Sequence, residues 1–445
     1  MTKILYWNIE KFSINKINDP STKRKDRSLP SGIVASGNRS DLILNVMQAN
    51  APDIFVIIET TTGAGAEGTL INTGGSQAAL DLLQKIRAKF GVTWMLVPPL
   101  IIGQSTLKEG VCVFFNSSSN LFFTGPFGWE GGVNPANVIG GGATVAYAAP
   151  WDTALPAGKT PTTAGIINGG LRQNQLAGQW LYDDGAAPAV KLEFPSAGER
   201  PPYLTTFWDA GSNRNIKLLA YHAPPPETKI SAAGVDSLSK IREITTLLGA
   251  QDDVIIMGDF NVNLSEKVLA DEAYDTLIAD SYTRQINPTA ASGFPDQGYI
   301  CTTLYGTSGK NKAEPTDTRG YPAYGYMTQN SYDNMLTRYG DAVRVPVSSK
   351  ITIVNLVAGS PYTKPTTPAY AGAKGTLVYT TAMETDRTAA DPLAPVALLL
   401  PPDPAPNGNG GYAPNTKGVG PKFREWENYG VVRSTSDHMA LIIDF

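Results

Sequence analysis

The sequence predicts an α/β protein, with buried strands at its centre and helices packed outside them. Three observations predict it. Short apolar runs, Leu5 to Ile9, Ile54 to Ile58, Leu218 to Tyr221 and Val254 to Met257, have the length and composition of strands buried on both faces. A helical pattern stands between the last two, so that 216–221, about 230–248 and 254–257 read as strand, helix, strand. Each run also carries, within it or just past its end, a polar residue capable of chemistry: Asn8, Glu59, His222 and Asp259. The 445 residues suffice for a large core. Because these runs are scattered from end to end, the expectation is one domain over 1–445, interrupted by insertions at about 125–197 and 359–425.

Taken in order, the first strand carries Asn8 and leads into the basic loop Lys23-Arg24-Lys25-Asp26-Arg27, read either as a solvated loop or as a phosphate contact. Ser40 is placed to cap a helix whose apolar positions Leu42, Ile43, Val46 and Met47 share one face, and Pro52 ends it. The strand to Glu59 follows. Gly63-Ala64-Gly65-Ala66-Glu67-Gly68 matches the dinucleotide fingerprint letter for letter, but its glycines do not open a helix; the next helical pattern begins near Ser76 and runs through Leu80, Leu83 and Ile86. It is read as a loop beside Glu59. Residues 92–97 and 111–116 read as a strand pair, with Lys108-Glu109-Gly110 leading into the second. The stretch 125–197, rich in Gly, Ala, Pro, Asn and Thr, is longer than connections in compact domains. Strands resume at 200–207 and 216–221, a helix is expected over 266–278, and 301–304 and 331–336 read as short strands. After the second insertion, Ser436-Asp437-His438 enters the last strand.

The formal net charge is -4, so no global basic field draws in nucleic acid and any phosphate contact must be local. Cys112 and Cys301 are the only cysteines, which excludes a disulfide framework and a four-cysteine zinc site; Cys112 reads as a small buried apolar residue. No apolar run is long enough to span a bilayer. Lys3 is followed at once by a strand, with no signal-peptide pattern, so a cytoplasmic location is expected, export by a route without such a mark being left open.

The chain has two histidines, and both lie inside motifs. In Gly258-Asp259-Phe260-Asn261, Gly258 is read as allowing a sharp turn, and Asp259 and Asn261, two apart, as pointing the same way. Asn8 and Glu59 offer hard oxygens, which suit Mg²⁺ or Mn²⁺ and not zinc. In order and spacing, this set resembles the endonuclease/exonuclease/phosphatase superfamily. His222-Ala223-Pro224, Lys108-Glu109, Cys301-Thr302-Thr303 and Tyr332-Asp333 look most like pancreatic-type deoxyribonuclease and its bacterial toxin relatives. Met439-Ala440 departs from that pattern, where an aromatic-proline pair is usual, and so do the two insertions.

The resemblance implies a four-layered α/β sandwich, two packed mixed sheets flanked by helices. It implies that Glu59, Asn8 and Asp437 hold or adjoin the metal, and that His438, oriented by Asp333, is the base. His222, partnered by Glu109, is the acid, the two histidines being exchangeable in these roles. Asp259 and Asn261 orient the attacking water and the scissile phosphate. Arg200, in Arg-Pro-Pro, resembles a phosphate-contacting arginine and reads equally well as a solvated one. The expected activity is Mg²⁺- or Mn²⁺-dependent hydrolysis of nucleic-acid phosphodiesters, DNA favoured, with low sequence specificity and 5′-phosphate products. One alternative keeps the fold and acts on lipid phosphodiesters or phosphomonoesters, docking on membranes through Phe122-Phe123, Phe127 and Trp129. Another is a non-enzymatic scaffold, which has no use for so many motif residues together.

Overall fold

The computed structural model describes residues 1–17, 35–65, 71, 75–97, 99–103, 107–125, 179–180, 200–224, 229–241, 244–245, 248–264, 267–286, 302–303, 330–340, 351–354 and 435–445. Along these the chain forms β1 (Lys3–Phe12), α1 (Ile14–Ile17), α2 (Ala35–Asn50), β2 (Ile54–Thr60), α3 (Gly75–Phe90), β3 (Trp94–Val97), β4 (Ile101–Ile102), β5 (Glu109–Asn116) and β6 (Leu121–Gly125). There follow β7 (Gln179–Trp180), β8 (Tyr203–Asp209), β9 (Arg214–His222), α4 (Lys229–Asp236), β10 (Asp252–Asp259), α5 (Lys267–Ala279), β11 (Thr283–Arg284), β12 (Asp333–Tyr339), β13 (Ile351–Val354) and β14 (Ala440–Asp444).

The strands make two mixed sheets. One has the order β13-β14-β1-β2-β5-β3, with β4 also on β5; the other has the order β11-β12-β10-β9-β8-β6, with β7 also on β8. Alternation along a strand sorts its side chains into two layers. From the first sheet Ile4, Tyr6, Val56 and Ile58 enter the core between the sheets. Leu5, Trp7, Phe55 and Ile57 face the other way and are covered by Leu42 and Val46 of α2 and Ala79 and Leu83 of α3. Ala232 and Val235 of α4 and Ala273 and Leu277 of α5 join the core around the second sheet. The order is helix, sheet, sheet, helix, the sandwich that the resemblance implies. Each fully buried aliphatic side chain in these layers contributes about 1.5–3 kcal/mol, so the double-sided burial explains why β1, β2, β9 and β10 read as continuous apolar runs.

Topology alone gathers the polar strand ends. β1 and β2 are parallel, as are β9 and β10, so Asn8, Glu59, His222 and Asp259 fall at carboxyl ends that share an edge within each sheet. β5 runs antiparallel to β2, β12 to β10 and β14 to β1, so the starts of those strands, with Glu109, Asp333 and the residues just before Ala440, come to the same edge. β1 then packs on β10 and β2 on β9, which sets the two edges mouth to mouth.

Several local expectations change. Gly258 lies within β10, and its reason is close approach: a Cβ there would stand 1.8 Å from the Tyr221 carbonyl oxygen of the paired strand. Ser40 is inside α2 and does not cap it; its hydroxyl donates to the Ile17 carbonyl. The helix expected over 230–248 is α-helical only to Asp236, then 3₁₀ over Ser237–Lys240. There the hydroxyls of Ser237 and Ser239 donate to the Ala233 and Asp236 carbonyls, competing with continuation of the ladder. Of the strand expected over 301–304, the described residues 302–303 show a bridge from Thr303 to His438. Phe123 is buried at 4% exposure between the sheets, and the half-buried Phe122 stacks on Trp208 at 5.5 Å. Cys112 is buried as expected, its sulfur 3.2 Å from the Thr60 hydroxyl. The basic loop 23–27, Glu67 and Gly68, Phe127, Trp129, Cys301, the insertion 359–425 and all of the 125–197 stretch but Gly125 and β7 lie outside the described residues.

Candidate active site

At the shared edge, ten side chains singled out in the sequence come together. Glu59, next to last in β2, is in the left-handed region, φ 60°, and Asn261 just past β10 has φ 52°. Such backbone costs about 1–3 kcal/mol in a non-glycine residue, held by its surroundings at both places. Glu59 is fixed by the Lys11 amide, 3.3 Å from Oε2, and by the Asn8 amide, 3.2 Å from Oε1. The same Asn8 Nδ2 donates to Asp259 Oδ2 at 3.0 Å, so one buried amide bridges carboxylates of both sheets. Asp259 Oδ1 accepts the Asn261 backbone N–H at 3.1 Å, an Asx turn, while Asn261 Nδ2 donates to the Ala223 carbonyl. Asp259 and Asn261 thus converge through a turn, not by alternation along one strand.

Two imidazole–carboxylate pairs flank Asp259. His438 Nδ1 lies 2.6 Å from Asp333 Oδ2, and His222 Nδ1 lies 2.9 Å from Glu109 Oε2. With each Nδ1–H donated to its carboxylate, both Nε2 atoms face inward, 3.5 Å (His438) and 3.6 Å (His222) from the one oxygen Asp259 Oδ2. His222 Nε2 is also 3.8 Å from Glu59 Oε1. Arg200 shares the Glu109 oxygen, at 2.7 Å, and donates to the Ala223 carbonyl; its side chain is 12% exposed. Asp437, 31% exposed, stands at the rim with Oδ1 3.8 Å from His438 Nε2.

Charges set the proton affinities. Burial pushes the His438 imidazole down, but the Asp333 and then the Asp259 carboxylate outweigh it and hold the pKa well above the usual imidazole value. At His222, burial and the Arg200 guanidinium push down, and Glu109 with Asp259 leaves a net rise. Burial raises Asp259, partly offset by His438, and the net is upward. Burial pushes Glu109 up, but Arg200 first and then His222 bring its carboxyl below the ordinary value.

The residues fit a hard divalent cation. Glu59, His222 and Asp259 present ligand atoms within 4.8 Å of one another, and so do Asp259, Asp333 and His438. The Asn8 side-chain oxygen is buried without a hydrogen-bond partner among the described residues, an oxygen that a cation beside Glu59 would take up. Asp437 is in neither group of three.

Sequence reasoning missed the supports of His438. Tyr6 donates to Asp333 Oδ1 at 3.0 Å, and Trp7 Nε1 donates to the His438 carbonyl at 2.8 Å. The His438 amide donates to Ser436 Oγ, whose hydroxyl donates to the Asn8 carbonyl, and Asp333 N donates to Thr302 Oγ1 at 2.9 Å. The available signal was chemical: a tyrosine or tryptophan inside a fully apolar strand needs a partner for its polar atom.

No family model matches this sequence, and no curated protein matches it. Similar solved structures include the human Nocturnin catalytic domain with bound sulfate, at 13% identity and a TM-score of 0.38, covering 76% of this chain and 82% of that one. A Bacteroides thetaiotaomicron mannosyl-6-phosphatase is 10% identical with a TM-score of 0.36, covering 100% of this chain and 99% of that one. An endonuclease/exonuclease/phosphatase family protein from Leptotrichia buccalis is 12% identical with a TM-score of 0.36, covering 79% and 90%.

Proposed function

We propose that this chain is a metal-dependent phosphodiesterase that hydrolyses nucleic acid, DNA preferred, with Mg²⁺ or Mn²⁺. The observation that carries the reading is the facing of two carboxylate-backed imidazoles, both Nε2 atoms within 3.6 Å of one Asp259 oxygen, beside Asn8 and Glu59. Hydrolysis of a phosphodiester needs a proton taken from water on one side and given to the leaving oxygen on the other, which two opposed imidazoles supply. His438, held by Asp333, accepts the water proton; His222, held by Glu109, donates to the leaving oxygen. Each carboxylate fixes the Nδ1–H tautomer and stabilises the imidazolium. Asp259 and Asn261 orient the water and the scissile phosphate.

Asn8 and Glu59, with Asp259 opposite, are the residues that would hold the cation, and Asp437 lies close by. When bound, a divalent cation neutralises the charge building on the non-bridging oxygens. Arg200, held between Glu109 and the Ala223 carbonyl, contributes positive charge next to His222. In-line attack leaves a 5′-phosphate and a free 3′-hydroxyl. Cleavage of supercoiled plasmid and of labelled single- and double-stranded DNA and RNA, with Mg²⁺, Mn²⁺ or chelator, tests the reading. The expected result is nicking that chelator abolishes and that His222→Ala or His438→Ala reduces by about a hundredfold or more. Wild-type turnover in both variants would sink it.

A further inference from the structure

We propose that Tyr6 is a positioning residue for His438, acting through Asp333; the inference rests on the nuclease reading given above for its kinetic consequence, but not for its geometry. The Tyr6 phenol starts on β1 in the first sheet, crosses the inter-sheet core and donates to Asp333 Oδ1 at 3.0 Å on β12 of the second. Both residues are at 0% exposure. The other oxygen of the same carboxylate receives the His438 ring at 2.6 Å. With one oxygen on the phenol and the other on the imidazole, the carboxylate plane is fixed at both ends, and with it the direction of Nδ1–H. The backbone of His438 is tied to the neighbouring residue on the same strand, through the 2.8 Å bond from Trp7 Nε1 to its carbonyl. β1 therefore fixes the ring from its carboxylate partner and the main chain from its carbonyl, which leaves Nε2 aimed at the site.

Burial alone does not explain the phenol's partner. Tyr274, also at 0% exposure, has a hydroxyl with no hydrogen-bond partner among the described residues. Among the described residues the Tyr274 phenol is left without a partner, whereas that of Tyr6 is directed onto the carboxylate that contacts the His438 ring. Tyr274→Phe is accordingly the control.

The test uses the full chain labelled with ¹⁵N-histidine, whose two histidines each hold Nδ1 against a carboxylate, His438 at 2.6 Å from Asp333 and His222 at 2.9 Å from Glu109, with Arg200 Nη1 also 2.9 Å from His222 Nδ1. In Tyr6→Phe the Nδ1–H resonance of His438 is expected to shift or exchange away, while that of His222 stays, and Tyr274→Phe leaves both in place. On a DNA substrate, Tyr6→Phe should lower kcat roughly five- to tenfold, the worth of one hydrogen bond, with KM within about twofold. In an Asp333→Asn background the same change should have no further effect on kcat. An unmoved His438 resonance overturns the link, whatever the activity. A moved resonance with unchanged kcat, or a change confined to KM, overturns its role in proton transfer. A wild type that cleaves no polymer overturns the proposed function instead, and the NMR comparison still decides the link. Should Tyr6→Phe fail to fold, fluorotyrosine labelling makes the phenol a stronger donor in the native chain; a shift of the His438 resonance but not of His222 supports the link, and no shift overturns it.

Discussion

At the scale of single residues, the site is a competition between burial and charge. Burial lowers the proton affinity of His438, and Asp333 followed by Asp259 more than reverses this. The folded pKa therefore lies above the unfolded value of about 6.5, so the stabilisation from protonated His438 is fully present below about pH 6.5 and is lost as pH rises through the folded value. In chelator, the wild-type Tm should fall across that interval, and His438→Asn should flatten the fall; equal slopes by calorimetry would refute the assignment. In the proposed reaction the same pair governs turnover. A base must be neutral, so the acid limb of kcat/KM should lie above the ordinary imidazole value, and Asp333→Asn should move it to lower pH while cutting kcat by about a hundredfold or more. A limb that stays put in that variant would show that another group titrates. Asn8, Glu59, Asp259, Asn261 and the two histidines were legible because strand-end acids, amides and a chain's only two histidines stand out against apolar runs, whereas Glu109, Asp333, Asp437 and Arg200 entered through the family resemblance. Tyr6 did not stand out, and Thr302 and Ser436 stood in quoted motifs without a role: their partners are 327, 31 and 428 positions away, and no local pattern records such distances.

At the scale of elements, strands buried on both faces were the most legible feature, since they read as unbroken apolar runs. Elements settled by side-chain competition were less so. The 230–248 stretch has helical periodicity, yet serine hydroxyls take carbonyls at its middle and it tightens into 3₁₀ geometry. Gly258 was legible as special but for a different reason from the one that holds. In β10 it faces Tyr221 of β9, and the nearest atoms to an added Cβ are backbone, at 1.8 and 2.8 Å, which cannot swing aside as a side chain could. Gly258→Ala must spread β9 from β10, the strands that end in His222 and Asp259. Overpacking of this kind costs about 1–3 kcal/mol or more, so Tm should drop by roughly several degrees and cleavage should fall with it. A variant with wild-type Tm and activity would mean that the two strands lie further apart than the register here places them.

At the scale of the whole molecule, the site is a seam. His438 stands at the edge of the first sheet with its carboxylate Asp333 on the second, and His222 stands on the second with its carboxylate Glu109 on the first. Asn8 of the first sheet reaches Asp259 of the second. Both imidazole–carboxylate pairs therefore exist only when the sheets are docked, and the carboxylates of Glu59 and Asp259 face each other across the seam with one amide between them. A divalent cation taken up there would clamp the sheets, binding the folded chain and not the unfolded one. Linkage then requires stabilisation of about 2.7 kcal/mol at a hundred times Kd. Mn²⁺ or Mg²⁺ should raise the wild-type Tm progressively with concentration, chelator should reverse the rise, and Asn8→Ala and Glu59→Ala should blunt it without substrate present. The midpoint of the rise in a thermal-shift titration should match the cation concentration that half-saturates cleavage. If the cation supports cleavage while leaving Tm unmoved, it binds with the substrate and not in the seam, and the ligand assignment of Asn8 and Glu59 falls.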